Sequence, residues 1–221
     1  LMIVLATNLK SQARERCEAS GAPVIFFNRL SEDRRGFGIS CDNVEGGRRA
    51  ADYLADLGHK ELLYISAFAD ASTNVERCKG FINQAVARGL VAPQIIEAGR
   101  FTYEAGYEAG LAVKELSRRP DGVLCANDIV AIGFIEGVQE GIGLSVPADI
   151  SVVGYDDIAM AAWPSHRLTT VAQPLDEMMA ATVRLARELA SSNDVAPRIL
   201  HIPPGPLVER RTVLDRRTAD E

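Results

Sequence analysis

Short runs of apolar residues alternate along the chain with longer stretches in which apolar residues recur at helical spacing. The runs predict strands buried on both faces, and the periodic stretches predict helices that bury one side. The predicted strands are residues 2–5, 23–27, 62–66, 95–96, 122–125, 150–154, 168–171 and 198–202. Repeated strand-then-helix order is typical of an α/β fold built on parallel sheets.

Residues that favour helix ends bound the helical stretches between these strands. One helix is predicted from about residue 12 to 19, and a second starts at a cap formed by Asp42 or Asn43 and stops at Gly58. Thr73 and Glu76 form a capping-box pattern that opens a third. Three more are predicted over residues 102–116, 128–139 and 175–189.

Composition narrows the classes of function. The chain has 221 residues, 47% of them hydrophobic, which suffices for one good core or two small ones. Its formal net charge of -6 gives no electrostatic footprint for nucleic acid, so any DNA contact must come from a part that is absent, or there is none. No apolar run approaches the ~18 residues needed to cross a bilayer. Four scattered cysteines without a C-x-x-C pair suit a reducing cytoplasm; they are Cys17, Cys41, Cys78 and Cys125.

Polar side chains follow several of the predicted strands, where the ligands of parallel sheets bind. Planar groups with paired donors or acceptors can grip vicinal hydroxyls, and an aromatic ring can pack on the C–H face of a sugar. A nucleobase or another small polar molecule could use the same groups. The candidates are Thr73, Arg77, Phe101, Asn127, Asp156 and Gln173.

Each candidate also has a purely structural interpretation. Asp156, Thr73 and Asp128 could cap helices, and Asn127 could occupy a turn. Arg77 could lie on the surface of its helix, and Phe101 could belong to the core. Their shared position at strand ends strengthens the group beyond its members.

Catalysis has weaker support in the sequence. No G-x-S-x-G, H-E-x-x-H or phosphate-loop pattern is present, and no cofactor or metal site is predicted. Asp156 and Asp157 are adjacent in an extended segment, so their carboxylates are expected to point apart. An enzyme on this fold stays a rival hypothesis that turnover assays on bound sugars would decide.

Several segments in a fixed order resemble one known family. They are residues 42–48 with 57–59 (family pattern DNxxGG…LGH), 76–81 (ERxxGF), 101–107 (F…SGY), 126–133 (ANDxxAxG), 147–157, 168–171, 173–174 and 208–211. Together they resemble the effector-binding part of the lactose-repressor (LacI/GalR) family of transcriptional regulators. The resemblance covers nearly the whole chain.

The resemblance implies a two-lobed fold like that of the periplasmic sugar-binding proteins. Residues 1–57 and 174–201 would form part of the N-terminal lobe, and residues 58–173 and 202–221 the C-terminal lobe. It also implies a sugar or polyol effector in the cleft, a homodimer, a cytoplasmic protein and control of operator DNA. The implied effector contacts are Arg77, Asn127 and Asp156, with Phe101 as the stacking ring, Thr73 and Gln173 as secondary contacts and Glu45 as a weaker one from the N-terminal lobe.

One departure from the family concerns the start of the chain. The headpiece that binds DNA and the first two strand–helix units of the N-terminal lobe have no counterpart here. We therefore expect the apolar strand at residues 2–5 to be covered by upstream residues or by another copy of the chain. A periplasmic binding protein of a sugar importer is the nearest rival, and an upstream secretion signal would favour it.

Overall fold

A computed structural model of the protein describes residues 1–5, 16, 19, 21–32, 36–192 and 194–217. They fold into two lobes with one sheet each, which confirms the predicted two-lobed α/β architecture. The strands are β1 (Met2–Val4), β2 (Val24–Phe27), β3 (Phe37–Cys41), β4 (Leu62–Ser66), β5 (Gln94–Glu97), β6 (Gly122–Cys125), β7 (Ser151–Asp156), β8 (Thr169–Ala172), β9 (Ile199–Ile202) and β10 (Leu207–Val208). The helices are α1 (Asn43–Asp56), α2 (Ser72–Ala87), α3 (Tyr103–Ala112), α4 (Asp128–Glu136) and α5 (Leu175–Ser191).

The smaller lobe is a parallel sheet in the order β1-β2-β3-β9, with α5 packed on it. Met178 and Leu185 lie on one side of α5, seven residues apart, and bury against Ile25 and Ile39 of the sheet. Within the described residues, β1 is the outer strand, and its Ile3 is 46% exposed. The expected cover of this strand stays a prediction.

The larger lobe is a six-stranded sheet in the order β10-β8-β7-β6-β4-β5, parallel except for the pairing of β10 with β8. All residues of β4 and β6 are buried, as expected for central strands of a parallel sheet. The segment after β10 returns to this sheet. There Thr212 donates to the carbonyl of Val152 at 2.6 Å and accepts from the N–H of Thr169 at 2.9 Å.

Two helix pairs cover the larger sheet, α1 with α2 and α3 with α4. In the first pair the backbones approach closely through glycines. A Cβ on Gly47 would lie 2.1 Å from the carbonyl oxygen of Arg77, and one on Gly80 would lie 2.0 Å from that of Val44. No side chain fits at either position without moving a helix, so both glycines set the distance between α1 and α2.

Within the described ranges the chain passes between the lobes three times, from β3 to α1, from β8 to α5 and from β9 to β10. These crossings lie side by side. The N–H of Asp42 donates to the carbonyl of Ile202 at 2.8 Å, and that of Gly205 donates to Ala172 at 2.9 Å. Short adjacent connections of this kind suit a hinge, because a few residues can absorb a rotation of one lobe against the other.

The first crossing lies earlier than the sequence suggested. Helix α1 packs on α2, and Ala50, Ala51 and Leu54 belong to the core of the larger lobe. The lobe boundary expected at residue 57 therefore lies between β3 and α1. The family segment at residues 42–48 was assigned to the wrong lobe because its strand-then-helix pattern does not show on which sheet the helix packs.

Three further expectations differ from the structure. Strand β3 was not predicted, and β10 was also missed. Asp42 caps α1 as expected, but the capping box at Thr73 is wrong, because α2 starts at Ser72 after Ala71, which has no side-chain cap. The helix predicted from residue 12 to 19 falls almost entirely outside the described residues.

Candidate functional site

Arg77 lies at the centre of the cleft, on the first turns of α2, and is 2% exposed. Its Nε donates to Asn43 Oδ1 at 2.9 Å, and one terminal nitrogen donates to the carbonyl of Ala126 at 2.6 Å. The other terminal nitrogen donates to Asp156 Oδ1 at 3.0 Å and to Gln173 Oε1 at 2.9 Å. Arg77 therefore joins α1, α2 and the ends of β6, β7 and β8 at one point.

Asp156 ends β7 with a φ of 110°, a backbone conformation that residues other than glycine rarely adopt. Its Oδ1 is held by Arg77, and among the described residues its Oδ2 has no hydrogen-bond partner. Burial raises the pKa of this carboxyl, and the neighbouring Arg77 guanidinium opposes the rise. The result is an anchored carboxylate with one oxygen available to a ligand.

Gln173 connects the site to the smaller lobe. Its backbone N–H donates to the carbonyl of Asp156 at 3.3 Å, and its Nε2 donates to Asn28 Oδ1 at 3.4 Å. Asn28 follows β2 directly and has a φ of 68°, a left-handed conformation that asparagine tolerates better than most residues. A chain of side chains thus runs from Arg77 through Gln173 across the cleft to the smaller lobe.

Asn127 and Thr73 flank the Arg77 network. Asn127 Oδ1 caps α4 by accepting from the N–H of Val130 at 3.1 Å, which leaves its Nδ2 without a partner among the described residues. Thr73 lies one helical turn before Arg77 on the same face of α2, and no hydrogen bond joins its hydroxyl to another described residue. Both predicted contacts therefore carry a polar group that a ligand can use.

Phe101 faces an arginine from the opposite lobe. The guanidinium carbon of Arg29 lies 4.7 Å from the centre of the Phe101 ring, a cation–π distance. Burial lowers the pKa of Arg29, as does nearby Arg77, while Asp156 opposes them. Arg29 is thus electrostatically coupled to the site, although it was not among the residues predicted from the sequence.

Glu45 takes no part in the Arg77 network. It lies in the first turn of α1 and pairs with Arg48 at 2.6 Å and with Arg49 at 2.8 Å. Hydrogen bonds from Arg48 are the main cause that lowers the pKa of Glu45 to about 2. Arg49 in turn donates to the carbonyls of Pro204 at 3.2 Å and Gly205 at 3.3 Å. Glu45 therefore braces the third crossing and belongs to the larger lobe.

Asp128 is a structural residue next to the site. It is fully buried, accepts from Thr170 Oγ1 at 2.6 Å and accepts from the N–H of Ile158 at 2.8 Å. Burial raises its pKa to about 7. The cap of α4 is Asn127 and not Asp128, so Asp128 ties α4 to β8 and to the loop after β7.

The structure brings most of the predicted site together. Arg77, Asp156 and Gln173 are directly bonded, Thr73 and Asn127 are neighbours in chain or helix, and Phe101 is reached through Arg29. Arg29 and Asn28 follow β2, so the strand-end argument could have found them. No group of three or more histidine, cysteine or acidic residues suited to a metal ion occurs within the described ranges. No helix in the described part of the chain is long and apolar enough to span a membrane.

Comparison with known proteins gives three consistent findings. Residues 51–213 match the family model described as a periplasmic binding protein-like domain. The chain is 30% identical to the HTH-type transcriptional repressor PurR of Vibrio atlanticus over 214 residues, which is 96% of this chain and 64% of that protein. It covers 51% of the Escherichia coli PurR proteins at 33% identity, so it spans between half and two thirds of the curated relatives it matches.

Solved structures agree with the sequence relatives. A LacI transcriptional regulator from a Rhodococcus species superposes with a TM-score of 0.85 at 31% identity, covering 96% of this chain and 77% of that one. The transcriptional regulator CelR in complex with cellobiose superposes with a TM-score of 0.87 at 25% identity, covering 95% of this chain and 64% of that one. The chain belongs to the periplasmic-binding-protein-like family, and within it is a ligand-binding domain of a LacI/GalR transcriptional regulator.

Proposed function

We propose that this domain binds a sugar or polyol in the cleft between its lobes and that binding changes how the whole regulator binds operator DNA. The observation that carries the proposal is the network from Arg77 through Asp156 and Gln173 to Asn28, which reaches from the larger lobe to the smaller one. A ligand that replaces or extends this network interacts with both lobes at once.

The unpaired polar atoms beside that network support a hydroxyl-rich ligand. Asp156 Oδ2 can accept from a hydroxyl, the Asn127 amide can donate to one, and the Thr73 hydroxyl can do either. Buried polar groups left without partners cost free energy, so a ligand that pairs them gains affinity and specificity. CelR, one of the structural relatives, is solved with a disaccharide bound, which fits this chemistry.

The proposed mechanism is a shift in the angle between the lobes. A ligand that contacts both lobes binds one inter-lobe angle better than others and so raises its population. The three adjacent crossings let this rotation occur without unfolding either lobe. In a homodimer the rotation would change the spacing of two DNA-binding headpieces, to which operator half-sites are sensitive.

We propose no enzymatic step. The carboxylates of the cleft are committed to arginines, Asp156 to Arg77 and Asp157 to Arg210 at 2.7 Å. The matching relatives are named as transcriptional repressors. A bound ligand is therefore expected to be recovered unchanged after incubation, as judged by mass spectrometry.

The test compares two neighbouring carboxylates by calorimetry on the full-length regulator. Asp156→Asn removes the charge beside the cleft, and Asp157→Asn is the matched control because both side chains are 27% exposed and paired with an arginine. Asp156→Asn should lower affinity for the sugar that binds by at least about 2 kcal/mol, while Asp157→Asn leaves it unchanged. Equal affinity for the sugar in the two variants contradicts the proposal, as does an affinity for operator DNA that is unchanged at saturating sugar.

A further inference from the structure

Arg29 is a cationic side chain of the cleft that lacks an anionic partner within the described residues. It comes from the smaller lobe, directly after β2, and its guanidinium lies over the ring of Phe101 in the larger lobe. Contact through the face of a ring leaves the N–H groups of the guanidinium free, because they point outward in its own plane. No hydrogen bond joins these donors to another described residue.

The hydrogen bonding of Arg29 differs from that of Arg77, the other arginine at the centre of the cleft. Arg77 is bonded to Asn43, Ala126, Asp156 and Gln173, so protein groups use most of its donors. Arg29 is partly buried and has none of these bonds, although burial and the charge of Arg77 both disfavour its ionised form. A partly buried guanidinium with unused donors has a fork that matches a carboxylate.

The ion pairs of the cleft also indicate that Arg29 is available to a ligand. Asp156 compensates Arg77, and Asp157 compensates Arg210. Glu76, another buried acid near Arg77, accepts from the amide of Asn43 at 3.2 Å. Asp156 attracts Arg29 from beyond ion-pair distance, and no described carboxylate pairs with Arg29 directly, so the carboxylate of a ligand can reach its donors.

We propose that the effector is an acidic sugar, a polyhydroxylated carboxylate, whose carboxylate binds Arg29 while its hydroxyls bind Asp156 and Asn127. This inference rests on the proposed function and names the class of ligand. Phe101 is then a positioning residue that holds Arg29 over the cleft. Since Arg29 and Asp156 lie on different lobes, a ligand with an acid group at one end and hydroxyls at the other closes the cleft in one orientation.

The experiment compares acids with their neutral counterparts on the full-length protein. Calorimetry is run with glucuronate against glucose, galacturonate against galactose, and gluconate against glucitol. In at least one pair the acid should bind about tenfold or more tightly than the neutral partner, the range expected for a charge-assisted hydrogen bond. Neutral sugars that bind as well as their acids in every pair that binds overturn the inference and leave the proposed function in place.

Variants at Arg29 locate the effect. Arg29→Gln should abolish the preference by weakening acid binding far more than neutral binding, and Arg29→Lys should retain part of the preference because the charge remains. Arg184→Gln, which removes an exposed arginine from α5, is the control for net charge and should keep the full preference. Retention of the preference in Arg29→Gln overturns the assignment even if the acids bind.

A final arm separates failure of this inference from failure of the proposed function. Adenine, guanine and uracil are titrated into the same protein. Binding of a nucleobase with no binding of any sugar or acid overturns both the acidic-sugar inference and the sugar proposal, while the cleft remains an effector site. Phe101→Leu supplies an internal check, since loss of the ring that holds Arg29 should weaken acid binding more than it weakens neutral binding.

Discussion

Asn43 Oδ1 accepts a 2.9 Å hydrogen bond from Nε of Arg77, thirty-four residues further along the chain. The amide nitrogen of the same side chain donates to the carbonyl of Cys41 at 3.0 Å and to Glu76 at 3.2 Å. Asn43 is fully buried at the first residue of α1. One amide thus fixes the orientation of the central arginine relative to the first crossing between the lobes.

Replacing Asn43 by Ala should destabilise the domain by about 2 kcal/mol, because Arg77 Nε and the Glu76 carboxylate lose a buried partner. Urea unfolding followed by circular dichroism measures the loss. Asn83→Ala is the control, since Asn83 is exposed on α2. Equal unfolding midpoints for the two variants would show that the Asn43 bonds contribute nothing net.

Asp128 makes stability depend on pH. Its folded pKa of about 7 lies above the ordinary value of 3.8, so the folded state holds a proton that the unfolded state releases. Stability from this group is therefore present at low pH and is lost as pH rises from about 4 to 7. Between pH 5 and 7.5 the loss should be about 2 kcal/mol, since each pKa unit is worth about 1.4 kcal/mol.

The measurement is the difference in slope between the wild type and Asp128→Asn, which cannot titrate. The variant should show a shallower fall of unfolding free energy over this pH range. Asp194→Asn, at an exposed position, should keep the wild-type slope. Identical slopes in the wild type and Asp128→Asn would mean that the buried carboxyl titrates at its ordinary pH.

Gly47→Ala should destabilise the larger lobe by about 2 kcal/mol or more, because the new Cβ meets the backbone oxygen of Arg77 at 2.1 Å. Gly141→Ala provides a matched comparison, since its Cβ would meet Leu111 Cδ2 at 2.0 Å, the end of a flexible side chain. That side chain can rotate, so the cost should stay below about 1 kcal/mol. Thermal melting of both variants measures the two losses of stability. A similar loss in each would show that the contact between α1 and α2 does not depend on Gly47.

Trp163 is a candidate anchor of the proposed homodimer. Its side chain is 50% exposed and stacks on His166, with ring centres 6.2 Å apart. His166 in turn lines a groove together with Ile132 and Ile135. Large exposed aromatic residues are frequent at the energetic centre of interfaces. Trp163→Glu should shift the protein toward monomer in sedimentation velocity, whereas Val91→Glu, at a similarly exposed site, should not. An unchanged oligomeric state in Trp163→Glu would exclude this surface.

Patterns local in sequence predicted the parallel sheets and most helices, because buried strands and amphipathic helices have distinct periods. Strand β3 was not predicted because Gly38 interrupts its apolar pattern. The structure supplies the reason, since a Cβ there would lie 2.8 Å from the Leu30 side chain. A strand that needs a glycine for close packing reads as a loop when only its own residues are considered.

The site was predictable where a residue follows a recognised strand, as Asp156 and Gln173 do. Asn43 was seen only as a possible cap, because its bonds to Arg77 and Glu76 depend on how α1 and α2 pack. Arg29 also follows a predicted strand, β2, so its position at a strand end is a signal that the sequence contains. Glu45 pairs with its neighbours Arg48 and Arg49, so its role as an effector contact stays a prediction.

The order of the crossings has a consequence for how the protein acquires its structure during synthesis. Strands β2 and β3 are made early, but α5, which covers Ile25 and Ile39, follows only after the strands β4 to β8 of the larger lobe. The apolar face of the smaller sheet therefore stays uncovered while the larger lobe is synthesised. Contacts between residues far apart in sequence slow folding and prolong the exposure of apolar surface. We therefore expect this lobe to be the part that needs chaperones and aggregates most readily during synthesis.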